Sequence, residues 1–463
     1  MDKMPKQADR AQNDNNKNDK PGNRSWPYWT SALLGICLLS ASAGALLSKN
    51  LSLNPLRQSN LTRQDSLVFN EAIDVSYNNF QFPQFKRPVN ILLLGAKILA
   101  SEANRPDLIK NGYEPTVNGF SGLTDSILLL RFNPTTHKMT VLSIPRDTKV
   151  ELPGHGTVKI NEANQDGGAP LAAATVSKLL NGVKIDRYVT INTIGLINLI
   201  DILGGVTVTL PKDIKYKDDT QHLYVDFKAG VHHFNGAQSE QYLRFRHDEL
   251  GDIGRIQRQQ MFMRALTEQA LNPGLVLKVP EILSLIRSHV DTNLTLEEMI
   301  ALSSFAATTN RSDMQMVMVP GDFNDSNRRG SVSYWLPDYK SINKMVDIYF
   351  SESTALVPTI EPSKLRISIQ DSTDNPRAVS SLEKSLLKSG YNNIQIYSRK
   401  IAPLDKTKIV VRTGDSSNSQ HLREKLGIGE ILTESTGSLG SDITIQIGKD
   451  WMHRNDAPQS SGA

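Results

Sequence analysis

The residues best suited to chemistry in this 463-residue chain run from Tyr242 to Gln260, where Arg244, Arg246, Arg255 and Arg258 fall close together. Tyr242 to His247 reads as a strand, on which Arg244 and Arg246 point to one face while Leu243, Phe245 and His247 point to the other. Asp252 to about Leu271 reads as a helix stopped by Asn272-Pro273-Gly274, and Arg255, Arg258 and Gln259 share one flank near its N-terminus. A strand end and a helix start would then aim fixed cationic donors at one place. Guanidinium groups take phosphate oxygens two at a time, and a helix N-terminus adds free N–H groups and partial positive charge, so a phosphate or diphosphate is the natural ligand. The competing reading is a solvated face on which these arginines pair with Asp248, Glu249 and Asp252.

Two shorter clusters add to this one. Ser143-Ile144-Pro145-Arg146-Asp147-Thr148 follows an apolar strand, and sites in α/β sheets commonly lie just beyond strand ends. Arg146 there is either a further phosphate clamp or half of a local ion pair with Asp147. Gly122-Leu123-Thr124-Asp125-Ser126 puts Asp125 at the head of a buried strand, where Mg²⁺ held by one or two carboxylates and by phosphate oxygens would fit. A turn cap explains that aspartate equally well. The single cysteine, Cys37, excludes an internal disulfide, a thiolate metal site or a Cys-His nucleophile. A formal net charge of +4 does not by itself imply a nucleic-acid partner.

The elements that must position these residues are legible as a mixed α/β domain. Val89 to Gly95 is an apolar run that suits a strand buried on both faces, and Asp125–Phe132 and Met139–Ile144 form a hairpin across Asn133-Pro134-Thr135-Thr136. Pro170–Leu180 and Thr193–Leu203 have helical spacing, and Gly204-Gly205 stops the second helix before a strand at Val206–Leu210. Pro280–Ser288 and Leu294–Thr309 also read as helices, with a late strand at Met314–Val319. The reading is a domain over 87–351, a linker over 352–363 and a small α/β domain over 364–450, with a polar tail over 451–463. Before them lie a disordered tail over 1–28, an uncharged stretch from Trp29 to Leu47 long enough to cross a bilayer, and a lead-in over 48–86. The lysines of the tail place it in the cytoplasm and the rest of the chain outside a plasma (inner) membrane. A signal peptide cleaved near Ala41-Ser42-Ala43 is the rival reading, and it exports the same residues.

Taken together these motifs resemble the LytR-CpsA-Psr family of bacterial envelope proteins. The resemblance rests on Asn90-Ile91-Leu92-Leu93-Leu94-Gly95, Thr124-Asp125-Ser126, Ser143 to Thr148, Lys159-Ile160-Asn161 with Gly167-Gly168, Asp201 to Val206, and Arg244 to Gln260. Leu365 to Gly448 is similar to the small C-terminal domain often appended to that family. The resemblance implies a central mixed β-sheet flanked by helices and a phosphotransferase, of the class acting on substituted phosphate groups. It would move a glycopolymer from a polyprenyl-diphosphate carrier to a peptidoglycan hydroxyl, with Mg²⁺ as cofactor.

By matching positions, Arg146, Arg244, Arg246 and Arg255 would stabilise the breaking diphosphate, with Gln259, Arg258, Asp147 and Lys97 as substrate contacts. Asp125 would hold the metal, and Asp252 would orient an arginine or accept the hydroxyl proton. The implied partners are the lipid-linked glycan, peptidoglycan, membrane lipid and a protein on the C-terminal domain, with no nucleic acid. The family pattern departs at Gly95-Ala96-Lys97, where an aspartate is usual at the lysine, and at Leu123, where an arginine is usual. Lys97 would therefore weaken or replace the metal. Hydrolysis of a polyprenyl diphosphate and noncatalytic binding of isoprenoid-linked glycans are the alternative functions.

Overall fold

The structure, a computed structural model, describes residues 61–69, 73–76, 83–96, 120, 122–219, 223–245, 251–270, 282, 289–309, 313–324, 332–351, 361–397, 401–412, 416–438 and 440–456. The expected membrane span, the tail before it and most of the interdomain linker lie outside these residues. Among the described residues no helix is long and apolar enough to cross a membrane.

The apolar runs form the centre of the first domain. Strands β1 (Val89–Ala96), β2 (Thr124–Asn133) and β3 (Lys138–Ile144) are successive antiparallel neighbours. The turn between β2 and β3 is closed by Asn133, whose side chain accepts from the Thr135 and Thr136 N–H groups at 3.0 and 3.2 Å. A small hairpin, β4 (Lys149–Leu152) and β5 (Gly156–Lys159), leads to helix α1 (Ala163–Leu179). Strand β6 (Arg187–Asn192) returns parallel to β1. Helix α2 (Thr193–Leu203) starts where Asn192 accepts from the Gly195 N–H at 2.8 Å, and ends at Gly204 with φ +89°, a left-handed stop that glycine adopts freely.

Strands β7 (Val206–Leu210), β8 (Ile214–Asp218), β9 (Leu223–Phe227) and β10 (Gly230–Phe234) follow, β8 pairing with β9 and β7 with β10. Helices α3 (Gly236–Arg244) and α4 (Gly251–Ala270) come next. The domain is completed by β11 (Val290–Thr292), α5 (Leu296–Thr308), β12 (Met314–Met318), the short pair β13 (Gly321–Phe323) and β14 (Trp335–Pro337), and α6 (Tyr339–Tyr349).

The main sheet has the order β11-β6-β1-β2-β3-β12, mixed in direction, as the fold reading required. Its alternating side chains feed two cores. Leu92, Leu94, Leu129 and Leu142 pack with Ala173 and Val176 of α1 and Ile342 of α6, while Val89, Ile91 and Phe132 pack on the other face with Ala301 and Phe305 of α5. A separate cluster joins β7–β10 to α2, α3 and α4 through Val208, Phe234, Tyr242 and Phe262.

Three expectations are overturned. Part of the expected lead-in belongs to the domain, since Phe69, Ile73 and Phe85 are buried in its two cores, and the expected polar tail over 451–463 begins within a helix, Lys449–Asp456, with Trp451 buried. Tyr242 to Arg244 are helical, the end of α3, where a strand was expected. A capping box outweighs the short alternation: Asn235 accepts from the Gln238 N–H at 2.9 Å and Gln238 accepts from the Asn235 N–H at 3.1 Å. Tyr242 and Phe245, three apart, then share the same buried cluster.

The second domain has β15 (Arg366–Asp371), α7 (Pro376–Lys388), β16 (Asn393–Tyr397), β17 (Lys408–Val411), α8 (Ser416–Leu426), β18 (Glu430–Thr433), β19 (Ile443–Ile447) and α9 (Lys449–Asp456). Its sheet order is β16-β15-β19-β17-β18. Ile367, Ile369, Ile409 and Ile445 on one face bury against Leu382 and Leu386 of α7 and Leu422 of α8. The domain meets α4 directly. Arg264 Nη2 lies 2.5 Å from Glu434 Oε1 with both side chains 8% exposed, and Gln257 Nε2 donates to the Ser435 and Gly437 carbonyls at 3.1 Å each.

Removing one partner of a buried ion pair strands the other charge, a loss of about 3–5 kcal/mol, whereas replacing both with apolar groups is nearly neutral. Glu434→Ala is therefore expected to lower the unfolding free energy by about that amount, and Glu434→Ala with Arg264→Met to restore most of it. Denaturant titration of the three proteins checks this.

Candidate active site

The site is built at one edge of the main sheet. Strands β1, β3, β6 and β12 run in one direction and end there, while β2 begins there, so Asp125 and Arg146 come from neighbouring strands at the same edge. This is the carboxyl-end position at which open α/β sheets bind ligands. Gly95, beside Ser126, suits that closeness: a β-carbon on it would lie 3.1 Å from Ser126 Cβ, tighter than an ordinary contact.

The backbone around Arg146 is fixed by a turn and its neighbours. The Thr148 N–H and Oγ1 both donate to the Pro145 carbonyl, at 3.0 and 2.6 Å. The Trp335 N–H donates to the Asp147 carbonyl at 2.9 Å, and the Asn161 N–H to the Arg146 carbonyl at 3.2 Å. On this frame Arg146 Nη1 donates to Asp125 Oδ1 at 2.7 Å, and its Nε faces Asp147 Oδ2 at 3.4 Å. Lys159 Nζ lies 2.6 Å from the other Asp147 oxygen. Asp147 is thus a buried carboxylate serving two cations, and Arg146 and Asp125 stand nearer the solvent.

Helix α4 closes over the same strands. Gln259 Nε2 donates to Ser126 Oγ at 3.3 Å, next to Asp125. The buried Gln260 donates to Ser143 Oγ at 3.3 Å and to the Val317 carbonyl at 3.4 Å, fixing the helix on β3 and β12.

Asp125, Arg146, Asp147 and Gln259 are therefore brought together. Arg258 is not among them: it is buried, donates through Nη2 to the Phe245 carbonyl, and stacks 5.0 Å over the Phe245 ring. Its expected substrate contact gives way to a packing contact that ties α4 to the end of α3. Arg244 closes α3 and pairs with Glu240 at 2.9 Å, one helical turn earlier. Arg246 and Lys97 lie outside the described residues. Asp252 and Arg255 fall in the first turns of α4, with their side chains outside the described set. Lys159 was visible in the Lys159-Ile160-Asn161 motif but carried no role there; its pairing with Asp147 supplies one.

The described cluster balances two cations against two carboxylates. A diphosphate placed there needs further positive charge. Among the described residues no group of three or more His, Cys, Asp or Glu could hold a metal ion. Asp125 can still serve as the single protein ligand of Mg²⁺, since magnesium at phosphate sites takes one or two carboxylates and fills its shell with phosphate oxygens and water.

The model of the LytR_cpsA_psr family matches residues 57–350. The chain belongs to this family. A second family model, described as LytR cell envelope-related transcriptional attenuator, matches residues 364–451. Among curated relatives, the chain is 30% identical over 302 residues to TagU of Bacillus cereus, named a polyisoprenyl-teichoic acid–peptidoglycan teichoic acid transferase; the match covers 64% of this chain and 87% of that protein. It is 32% identical over 204 residues to the regulatory protein MsrR of Staphylococcus aureus, covering 44% of this chain and 61% of the relative. A solved structure of B. subtilis TagV matches with 27% identity and a TM-score of 0.45, covering 57% of this chain and 96% of that one.

The place of Arg258 sets a measurable expectation. Arg258→Ala should lower stability by about 2–4 kcal/mol through the lost stacking and buried hydrogen bond, seen as a lower melting temperature. A melting temperature equal to wild type with weakened lipid-diphosphate binding would return Arg258 to the substrate.

Proposed function

We propose that the chain transfers a glycopolymer from a polyprenyl-diphosphate carrier to a hydroxyl of peptidoglycan, at the outer face of the membrane that its N-terminal segment crosses. The observation that carries this reading is Arg146, held between Asp125 and Asp147 at the carboxyl edge of the main sheet, with Gln259 of α4 on the adjoining strand. A guanidinium so held is pre-oriented for phosphate oxygens, and transfer at phosphorus depends mainly on such positioning and charge stabilisation. The name of the Bacillus cereus relative supports the same substrates.

In the reaction the acceptor oxygen bonds to the glycan-bearing phosphorus as the bridging P–O bond breaks, and polyprenyl phosphate leaves with the bonding electrons. Arg146 exchanges part of its contact with Asp125 for the phosphate and stabilises the charge gathering there. Arg246, Arg255 and Lys97 supply the cations that the balanced cluster lacks, and Arg244 supports them. Asp252 takes the hydroxyl proton or orients an arginine. Asp125 would hold Mg²⁺, which would supply neutralisation of phosphate charge. The carrier's prenyl chain lies against α2, whose Ile194, Leu196, Ile197 and Leu199 are only half-buried.

The test incubates the full chain in detergent micelles with a polyprenyl-diphosphate glycan and peptidoglycan, with and without Mg²⁺, and measures polyprenyl phosphate and wall-linked polymer. Arg146→Ala is expected to lower both by about 10²–10³-fold, and chelation of Mg²⁺ to lower both again. Lipid phosphate released without wall-linked polymer would establish hydrolysis instead, and tight lipid binding with no turnover would establish a scaffold.

A further inference from the structure

A cleft of about 540 Å³ lies between the two domains, within the range of ligand sites and apart from the Asp125–Arg146 cluster. One wall is α4 and β7, through Gln257, Met261 and Thr209; the other is the sheet of the small domain. That sheet has two unlike faces. Its helix-covered face is aliphatic, whereas at the cleft a polar row crosses four strands in register: Tyr397 of β16, Gln370 of β15, Gln446 of β19 and Lys408 of β17. Gln446 Nε2 donates to Gln370 Oε1 at 2.9 Å, which fixes the two amides as a pair. Gln395, two residues before Tyr397, also lines the cleft and is exposed.

The composition of these walls selects the ligand. Each glutamine offers both a donor and acceptor, the complement of hydroxyl and acetamido groups on a sugar. Tyr397 and the exposed Met261 offer apolar surface to the C–H faces of a pyranose ring. The Arg264 and Glu434 charges at the cleft neutralise each other, which leaves Lys408 as the further cation among the lining residues, too little positive charge to select a polyanion over a neutral chain. A prenyl chain would satisfy none of the donors and acceptors these amides still offer beyond the Gln446–Gln370 bond.

We propose that this cleft binds a neutral N-acetylated glycan strand. Its identification with the acceptor rests on the transfer reaction proposed above. Helix α4 links the two places: Gln257 and Met261 form the cleft wall, while Gln259 contacts Ser126 at the strand edge. An α-helix with its side chains is about 10–12 Å thick, so the sugar seated in the cleft is not the one that reacts. A neighbouring sugar of the same strand reaches the diphosphate, and affinity must grow with strand length.

The experiment is calorimetric titration of the full chain in detergent micelles with chitohexaose, a neutral N-acetylglucosamine oligomer. Single N-acetylglucosamine, a polyglycerol phosphate and a free peptidoglycan stem peptide serve as the other ligands. Expected are saturable binding of chitohexaose, far weaker binding of the monosaccharide, and none of the other two. Thr209→Trp, which fills the cleft from an exposed strand position, and Gln395→Ala should each weaken chitohexaose binding by about tenfold or more, with melting temperature unchanged. Arg146→Ala should bind it as wild type does.

No saturable binding of chitohexaose, equal binding by both cleft variants, or preference for the polyol phosphate or the peptide would overturn the proposal. Glycan binding that persists while Arg146→Ala transfers normally would remove the transferase reading and leave the glycan cleft standing.

Discussion

The arrangement at the strand edge depends on one buried carboxylate. Asp147 accepts Lys159 on one oxygen and faces Arg146 with the other, and its own carbonyl is bonded to Trp335 of β14. A lone buried carboxylate would be costly, and two cations offset that cost. The gain is orientation: with its Nε side occupied by Asp147, the Arg146 guanidinium has little freedom to rotate and presents its Nη groups toward Asp125 and the open rim. A flexible arginine would have to be ordered at the moment of reaction; this one is ordered by folding.

Helix α4 carries that order outward. On one side Gln259 and Gln260 bind the ends of β2, β3 and β12, and on another Gln257 and Arg264 bind the second domain. A single element therefore borders the strand-edge cluster, the inter-domain cleft and the packing of β7–β10. Its connection to α3 is secured by Arg258 on Phe245.

Much of this was legible in the sequence because the strands are buried on both faces and therefore written as apolar runs at Val89–Gly95, Ile127–Leu130 and Val141–Ile144, interrupted only by Asn90 and Ser143. The Asn133 turn likewise fixed the hairpin that brings Asp125 and Arg146 to one edge. Arg244 was misplaced because four alternating residues resemble a strand, while the decisive signal, Asn235 followed three residues later by Gln238, lay upstream. Arg258 was misplaced because helical spacing assigns a residue to a flank without saying whether protein or solvent covers it. In the second domain α8 escaped notice since its buried contribution is chiefly Leu422 and Leu426, four apart in an otherwise polar segment.

The outermost strand of the main sheet, β12, meets the small domain through a parallel bridge between Met316 and Glu434. A sheet margin with unpaired peptide groups invites pairing with another chain, and here an appended domain occupies part of that margin. The second domain thus leaves fewer peptide groups of β12 open to such pairing. A relative that lacks the appended domain has to blunt the same margin by other means, such as charged side chains or a covering loop, or accept a tendency to aggregate.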